Sequence, residues 1–120
     1  MPQCIIECSS ELSKLINFNM LVEEVHNITE SSGYFVQGSV KSRLHISEYY
    51  LISGDNENFI HVTTNIFTGR SIEERKNLAD LITKKLCVLL PTVNMISVEV
   101  KEINKLTHSN RNKIQGNNDA

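Results

Sequence analysis

Proline at position 2, the cations Lys41 and Arg43 two residues apart, and Arg70 between Gly69 and Ser71 are the residues of this chain that offer most to chemistry. Removal of the initiator Met1, usual before a small residue, would make the Pro2 nitrogen a secondary amine. An α-amino group already titrates near neutrality, with a reference pKa of about 8. Burial or a neighbouring cation pushes such an amine toward its neutral form, which is a competent general base. Arg70 directly precedes Ser71-Ile72-Glu73-Glu74, a capping-box pattern that predicts a helix start. Free backbone N–H groups and the positive helix end favour an anion there, and a guanidinium adds a two-pronged grip on a carboxylate. Taken together these residues describe a base set between carboxylate clamps. No serine or cysteine nucleophile motif and no phosphate-binding glycine loop competes with them.

The elements that must position these residues can be read from periodicity. Cys4 to Cys8 reads as a first strand, and Ser9 to Ile16 as a polar turn or irregular connection. A helical pattern runs from about Phe18 to Ser31, with Phe18, Leu21, Val22, Val25 and Ile28 on one stripe, Asn17 as N-cap and Gly33 as stop. A second strand is predicted over Val40 to Leu51, a turn at Ser53-Gly54-Asp55-Asn56, and a third strand over Phe59 to Phe67. The second helix follows the Ser71 cap, carries an apolar stripe through Ile72, Leu78, Ile82, Leu86 and Leu89, and ends before Pro91. A last strand covers about Met95 to Ile103, with Ile96, Val98 and Val100 on one side, and a polar tail rich in Asn and Lys follows, with too little apolar content to hold itself in place.

The order is therefore β-α-β twice, an α+β fold in which both helices cover one face of a four-stranded sheet. Strand alternation assigns Val40, Ser42, Leu44 and Ile46 to the covered face, and Lys41, Arg43 and His45 to the uncovered one. In the third strand Ile60, Val62, Thr64 and Ile66 oppose Phe59, His61, Thr63, Asn65 and Phe67. Aromatic and aliphatic residues on both faces of a sheet covered on one side predict self-association. His45 and His61 read as packed or interface residues before pocket members.

A chain of 120 residues makes one domain, and a formal net charge of −2 gives no general affinity for nucleic acid or anionic membrane. No apolar run reaches the roughly 18 residues a membrane helix needs, and no signal-peptide organisation is present, so the expectation is a cytoplasmic protein. Cys4 and Cys8 would stand about 13 Å apart on a strand, at roughly 3.3 Å per residue, too far for a disulfide. With Cys87 in a helical pattern, the three cysteines read as buried, unreactive thiols. Their spacing and that of the four histidines support no metal site.

The sequence resembles the 5-carboxymethyl-2-hydroxymuconate isomerase family of the tautomerase superfamily, which also holds 4-oxalocrotonate tautomerase and macrophage migration inhibitory factor. The residues that carry this are Met1-Pro2 with Ile6-Glu7-Cys8-Ser9, Lys41-Ser42-Arg43-Leu44-His45, Phe59-Ile60-His61-Val62-Thr63, Gly69-Arg70-Ser71-Ile72-Glu73 and Ser97-Val98-Glu99-Val100. The resemblance spans about residues 2–103, a tautomerase-like domain, and is loose over the tail to residue 120. It implies a homotrimer with uncovered sheet faces turned inward, Pro2 as catalytic base, and Arg70 as a carboxylate-binding residue. It leaves open whether Arg43 or Lys41 is the second clamp. The implied reaction needs no cofactor or metal. It interconverts the 2-hydroxy-dienoate and 2-oxo-enoate forms of a di- or tricarboxylic acid in homoprotocatechuate degradation. Two alternatives stand beside it: a tautomerase of a different oxo-acid, and a non-catalytic module that binds small acids at a subunit interface.

Overall fold

Alternating burial along the first strand sets the architecture: Cys4, Ile6 and Cys8 are fully buried, while Glu7 between them is exposed. The computed structural model describes residues 2–53 and 57–116. Met1, the proposed site of processing, and Gly54, Asp55 and Asn56 of the expected turn lie outside the described residues.

Strand β1 (Gln3–Ser9) leads through a 3₁₀ turn (Ser10–Lys14) to helix α1 (Phe18–Glu30) and strand β2 (Lys41–Ser47). Strand β3 (Phe59–Phe67), helix α2 (Ile72–Leu89) and strand β4 (Met95–Ile103) repeat the pattern. The sheet order is β2-β1-β3-β4, with β1 parallel to β2, β3 parallel to β4, and β1 antiparallel to β3. The expected α+β arrangement of two β-α-β units is present. Its core gathers Ile6, Leu21, Val25, Ile60, Val62, Leu78, Ile82 and Leu86, at most 1% exposed each, between the helices and one sheet face.

The helix starts follow from their caps. Asn17 accepts the Met20 N–H at 3.1 Å, and Ser71 and Glu74 close a full capping box at the head of α2. Thr29 joins the buried face of α1 because its hydroxyl is satisfied by the Val25 carbonyl at 2.9 Å and lies 3.4 Å from the Cys4 sulfur.

Several expectations need correction. The Ser9–Ile16 connection contains the 3₁₀ turn, which buries Leu12 completely. Strand β2 ends at Ser47 rather than near Leu51, because its ladder partner β1 ends at Ser9, opposite Ser47, and β2 is an edge strand with no second neighbour among the described residues. Ile46 near that end is 48% exposed instead of buried. Ile72 is 76% exposed and stands off the α2 stripe. Cys87 is exposed, whereas Cys4 and Cys8 are buried free thiols.

The tail also differs from expectation. Beyond Ile103 it forms a 3₁₀ turn (Lys105–Thr107) and one turn of helix, α3 (Arg111–Ile114). Leu106 and Ile114 remain 92% and 79% exposed, so apolar burial does not hold it. Polar caps order its two turns locally: Asn104 accepts the Leu106 N–H at 2.9 Å, and Asn110 accepts the Lys113 N–H at 2.9 Å. Among the described residues no helix is long and apolar enough to cross a membrane.

Candidate active site

The head of β1, the head of β2 and the β3–α2 junction meet at one end of the sheet. Pro2 is buried, and its carbonyl accepts the Lys41 N–H at 3.0 Å, which starts the β1–β2 ladder. Gln3 pairs with Asn65 across the antiparallel side, so continuing that register by one residue sets Pro2 level with Ile66. Lys41 and Ile66 both line an open cavity of about 1040 Å³, together with Arg70. The structure thus gathers Lys41 and Arg70 in one cavity; Pro2 is not part of its lining and is tied to it through the backbone bond to Lys41.

Arg43 is placed differently. It is exposed on the uncovered sheet face, donates from Nη1 to the Gln3 Oε1 at 2.9 Å, and is not part of the cavity lining. His45 and His61 do not line it either; His61 instead shares a 2.6 Å hydrogen bond between its Nδ1 and the Ser97 hydroxyl.

Arg70 is held in place before any ligand arrives. Its Nη1 donates to the Glu74 Oε2 at 3.3 Å and its Nη2 to the Tyr34 carbonyl, leaving other N–H donors of the fork for a carboxylate. Its guanidinium carbon lies 5.5 Å from the Tyr34 ring centre and 5.9 Å from that of Phe35. The second Glu74 oxygen accepts the Ser71 N–H at 3.0 Å. This bond, with a smaller contribution from Arg70, holds the Glu74 carboxyl below its ordinary pKa. Glu74 therefore stays ionised and keeps the arginine oriented.

The remaining wall carries residues that sequence reasoning did not find. Tyr34, Phe35 and Val36 come from the α1–β2 loop, Phe67 from the end of β3, and Asn110, Arg111 and Asn112 from the tail. The loop is tied down by Glu30, whose carboxylate accepts the N–H groups of Gly38 at 2.9 Å and Val40 at 3.2 Å. A Tyr-Phe-Val run just after a helix stop is a readable sign of an apolar wall. Arg111 sits in a polar segment and gives no such sign.

The lining thus combines an aromatic surface with three cationic side chains, Lys41, Arg70 and Arg111, and no Asp or Glu among the described residues. Such a surface suits a flat, conjugated acid bearing more than one carboxylate.

Comparison with known proteins gives the family. The profile of the 5-carboxymethyl-2-hydroxymuconate isomerase family matches residues 2–117. A 5-carboxymethyl-2-hydroxymuconate Delta-isomerase of Escherichia coli is 24% identical over 121 residues, covering 95% of this chain and 96% of the relative. The crystal structure of a 5-carboxymethyl-2-hydroxymuconate isomerase from Deinococcus radiodurans R1 superposes with a TM-score of 0.78 at 22% identity, covering 96% of this chain and 92% of that one. A fused 4-OT solved as a symmetric trimer superposes with a TM-score of 0.69 at 17% identity, covering 85% and 87%. With the profile spanning nearly the whole chain and the tautomerase-like fold shared along it, this protein is an isomerase and belongs to the 5-carboxymethyl-2-hydroxymuconate isomerase family.

Proposed function

We propose that this chain is a cofactor-independent tautomerase in which Pro2, freed by loss of Met1, is the general base. The observation that carries the reading is the backbone bond that ties Pro2 to Lys41, on the wall of a cavity lined by three cations and no carboxylate among the described residues. The neutral Pro2 amine takes the 2-hydroxyl proton of a dienol. As that O–H bond breaks, its electron pair closes the carbonyl, the conjugated double bonds shift, and a proton returns to a carbon further along the chain. Substrate and product differ only in the position of one proton and the double bonds, so no co-reactant is consumed.

Arg70 and Lys41 would hold the carboxylates and favour the dienolate as its charge develops. Lys41 is the better second clamp in this chain, because it lines the cavity and Arg43 does not. Lysine supplies charge without the two-pronged geometry of arginine, which suits a less strictly oriented carboxylate. The family supports 5-carboxymethyl-2-hydroxymuconate as substrate, and the sequence resemblance implies homoprotocatechuate degradation as its setting. The half-buried Phe59, His61 and Thr63 of the uncovered sheet face, with the trimeric 4-OT neighbours, support a homotrimer.

The test follows the ultraviolet signal of 5-carboxymethyl-2-hydroxymuconate ketonisation, using protein whose intact mass shows Met1 removed. Saturable turnover that falls by orders of magnitude in Pro2→Ala is the expected result. A Pro2→Ala variant as fast as the parent would overturn the mechanism.

A further inference from the structure

The tail beyond the β-α-β repeat is built onto the cavity, and its placement has a clear anchor. Phe67, the last residue of β3, is enclosed by it: the His108 ring packs edge-on at 5.1 Å between ring centres, and the Lys105 and Lys113 ammonium groups lie 5.5 and 5.7 Å from the Phe67 centre. Lys113 also closes the tail on itself, donating to the His108 carbonyl at 3.1 Å and the Lys105 carbonyl at 3.4 Å. The tail leaves β4 at Ile103, whose carbonyl accepts the Thr68 N–H at 3.2 Å, and Thr68 lines the same cavity. This cage brings Arg111 to the cavity wall with Asn110 and Asn112 beside it.

Arg111 differs from Arg70 in one respect that matters. Arg70 already engages Glu74, whereas no carboxylate among the described residues pairs with Arg111. An arginine on the wall of a cation-lined cavity, with no acid among the described residues to answer it, is poised for the charge of a ligand.

We propose that Arg111 is a specificity residue: it binds the carboxylate of the substrate furthest from the reacting 2-hydroxyl, so that the tail selects di- and tricarboxylic acids over monocarboxylic ones. This rests on the tautomerase reading for its substrate class, but the ligand contact can be tested without turnover. The contact adds binding for a longer, multiply charged acid and nothing for a short one.

The experiment uses the full chain and titrates cis,cis-muconate, an unreactive conjugated diacid, and sorbate, its monoacid counterpart, into parent, Arg111→Gln and Arg111→Lys. Arg111 is exposed, so these variants keep the core intact. Muconate binding should weaken about tenfold in Arg111→Gln and partly recover in Arg111→Lys, the scale of losing a charge-assisted contact, while sorbate changes less than about twofold. In turnover, the ratio of kcat/KM for 2-hydroxymuconate over 2-hydroxypenta-2,4-dienoate should fall about tenfold in Arg111→Gln, with kcat for the diacid within about twofold. Muconate binding equal in parent and Arg111→Gln overturns the assignment, whatever the turnover. Arg111-dependent muconate binding in a parent that turns over neither dienol nor 5-carboxymethyl-2-hydroxymuconate upholds the ligand contact and instead sinks the tautomerase reading.

Discussion

Arg70 and Glu74 meet at 3.3 Å across the first turn of α2, and the same Glu74 carboxylate accepts the Ser71 N–H with its other oxygen. One acid thus closes the helix cap and orients the arginine of the cavity. The link between fold and site is direct here: a device that starts a helix also sets the angle of a guanidinium.

The pH dependence of this arrangement has a defined sign. The Glu74 pKa is lowered in the folded protein, first by the Ser71 N–H and then by Arg70. Its stabilising contribution is therefore present above the unfolded carboxyl value, near 4.3, and is lost as pH falls through the folded one. Glutamine at this position keeps a neutral acceptor for Ser71 but loses the charge. Thermal midpoints of parent and Glu74→Gln should differ near neutrality and converge as pH falls through the lowered folded value. A gap constant over that range would assign nothing to the ionised carboxylate.

The position of the second clamp gives another expectation. Lys41 lines the cavity, while Arg43 reaches back to Gln3 on the uncovered face. Lys41→Ala should raise KM for a dicarboxylic dienol by about tenfold, the scale of one charged contact, and Arg43→Ala should change it by less than about threefold. The reverse order in steady-state kinetics would move the clamp to Arg43.

What was readable in the residues follows the range of the forces involved. Strand alternation placed Ile60, Val62, Thr64 and Ile66 on the buried face because a period of two is enforced at every residue. The α2 start was legible because Ser71 and Glu74 satisfy each other within one turn. The end of β2 was not, because it depends on where a partner strand distant in sequence stops. The tail was hidden for a related reason: a composition poor in apolar residues says nothing of Lys105, His108 and Lys113 closing around Phe67. At the site, Arg70 and Lys41 were found from charge and local pattern, and Arg111 required the three-dimensional path of the chain.

Ile72 and Ile82 separate pattern from packing on a single helix. Both fit the apolar stripe, yet Ile82 is fully buried and Ile72 is 76% exposed in the first turn. Ile82→Ala should cost about 2–5 kcal/mol through lost burial and the cavity left behind. Ile72→Ala should stay within about 0.5 kcal/mol. Urea unfolding of the two variants reads the difference, and equal losses would place Ile72 inside an interface.

The thiols give a prediction at the alkaline end. Burial pushes Cys8 up to about 11, so the unfolded chain ionises this thiol first as pH rises. The folded state binds the extra proton between the unfolded value, about 8.5, and the folded one, and stability must fall across that interval, by up to about 1.4 kcal/mol per pH unit. Cys8→Ala removes this dependence while losing some packing, so its unfolding free energy should start lower near neutrality and fall less steeply above about pH 9. The same burial predicts the reactivity order. A disulfide reagent at about pH 8 should modify the exposed Cys87 in the native protein and reach Cys4 and Cys8 only after denaturant is added. Rapid native modification of all the thiols would show that strand β1 opens, and with it the seat of Pro2.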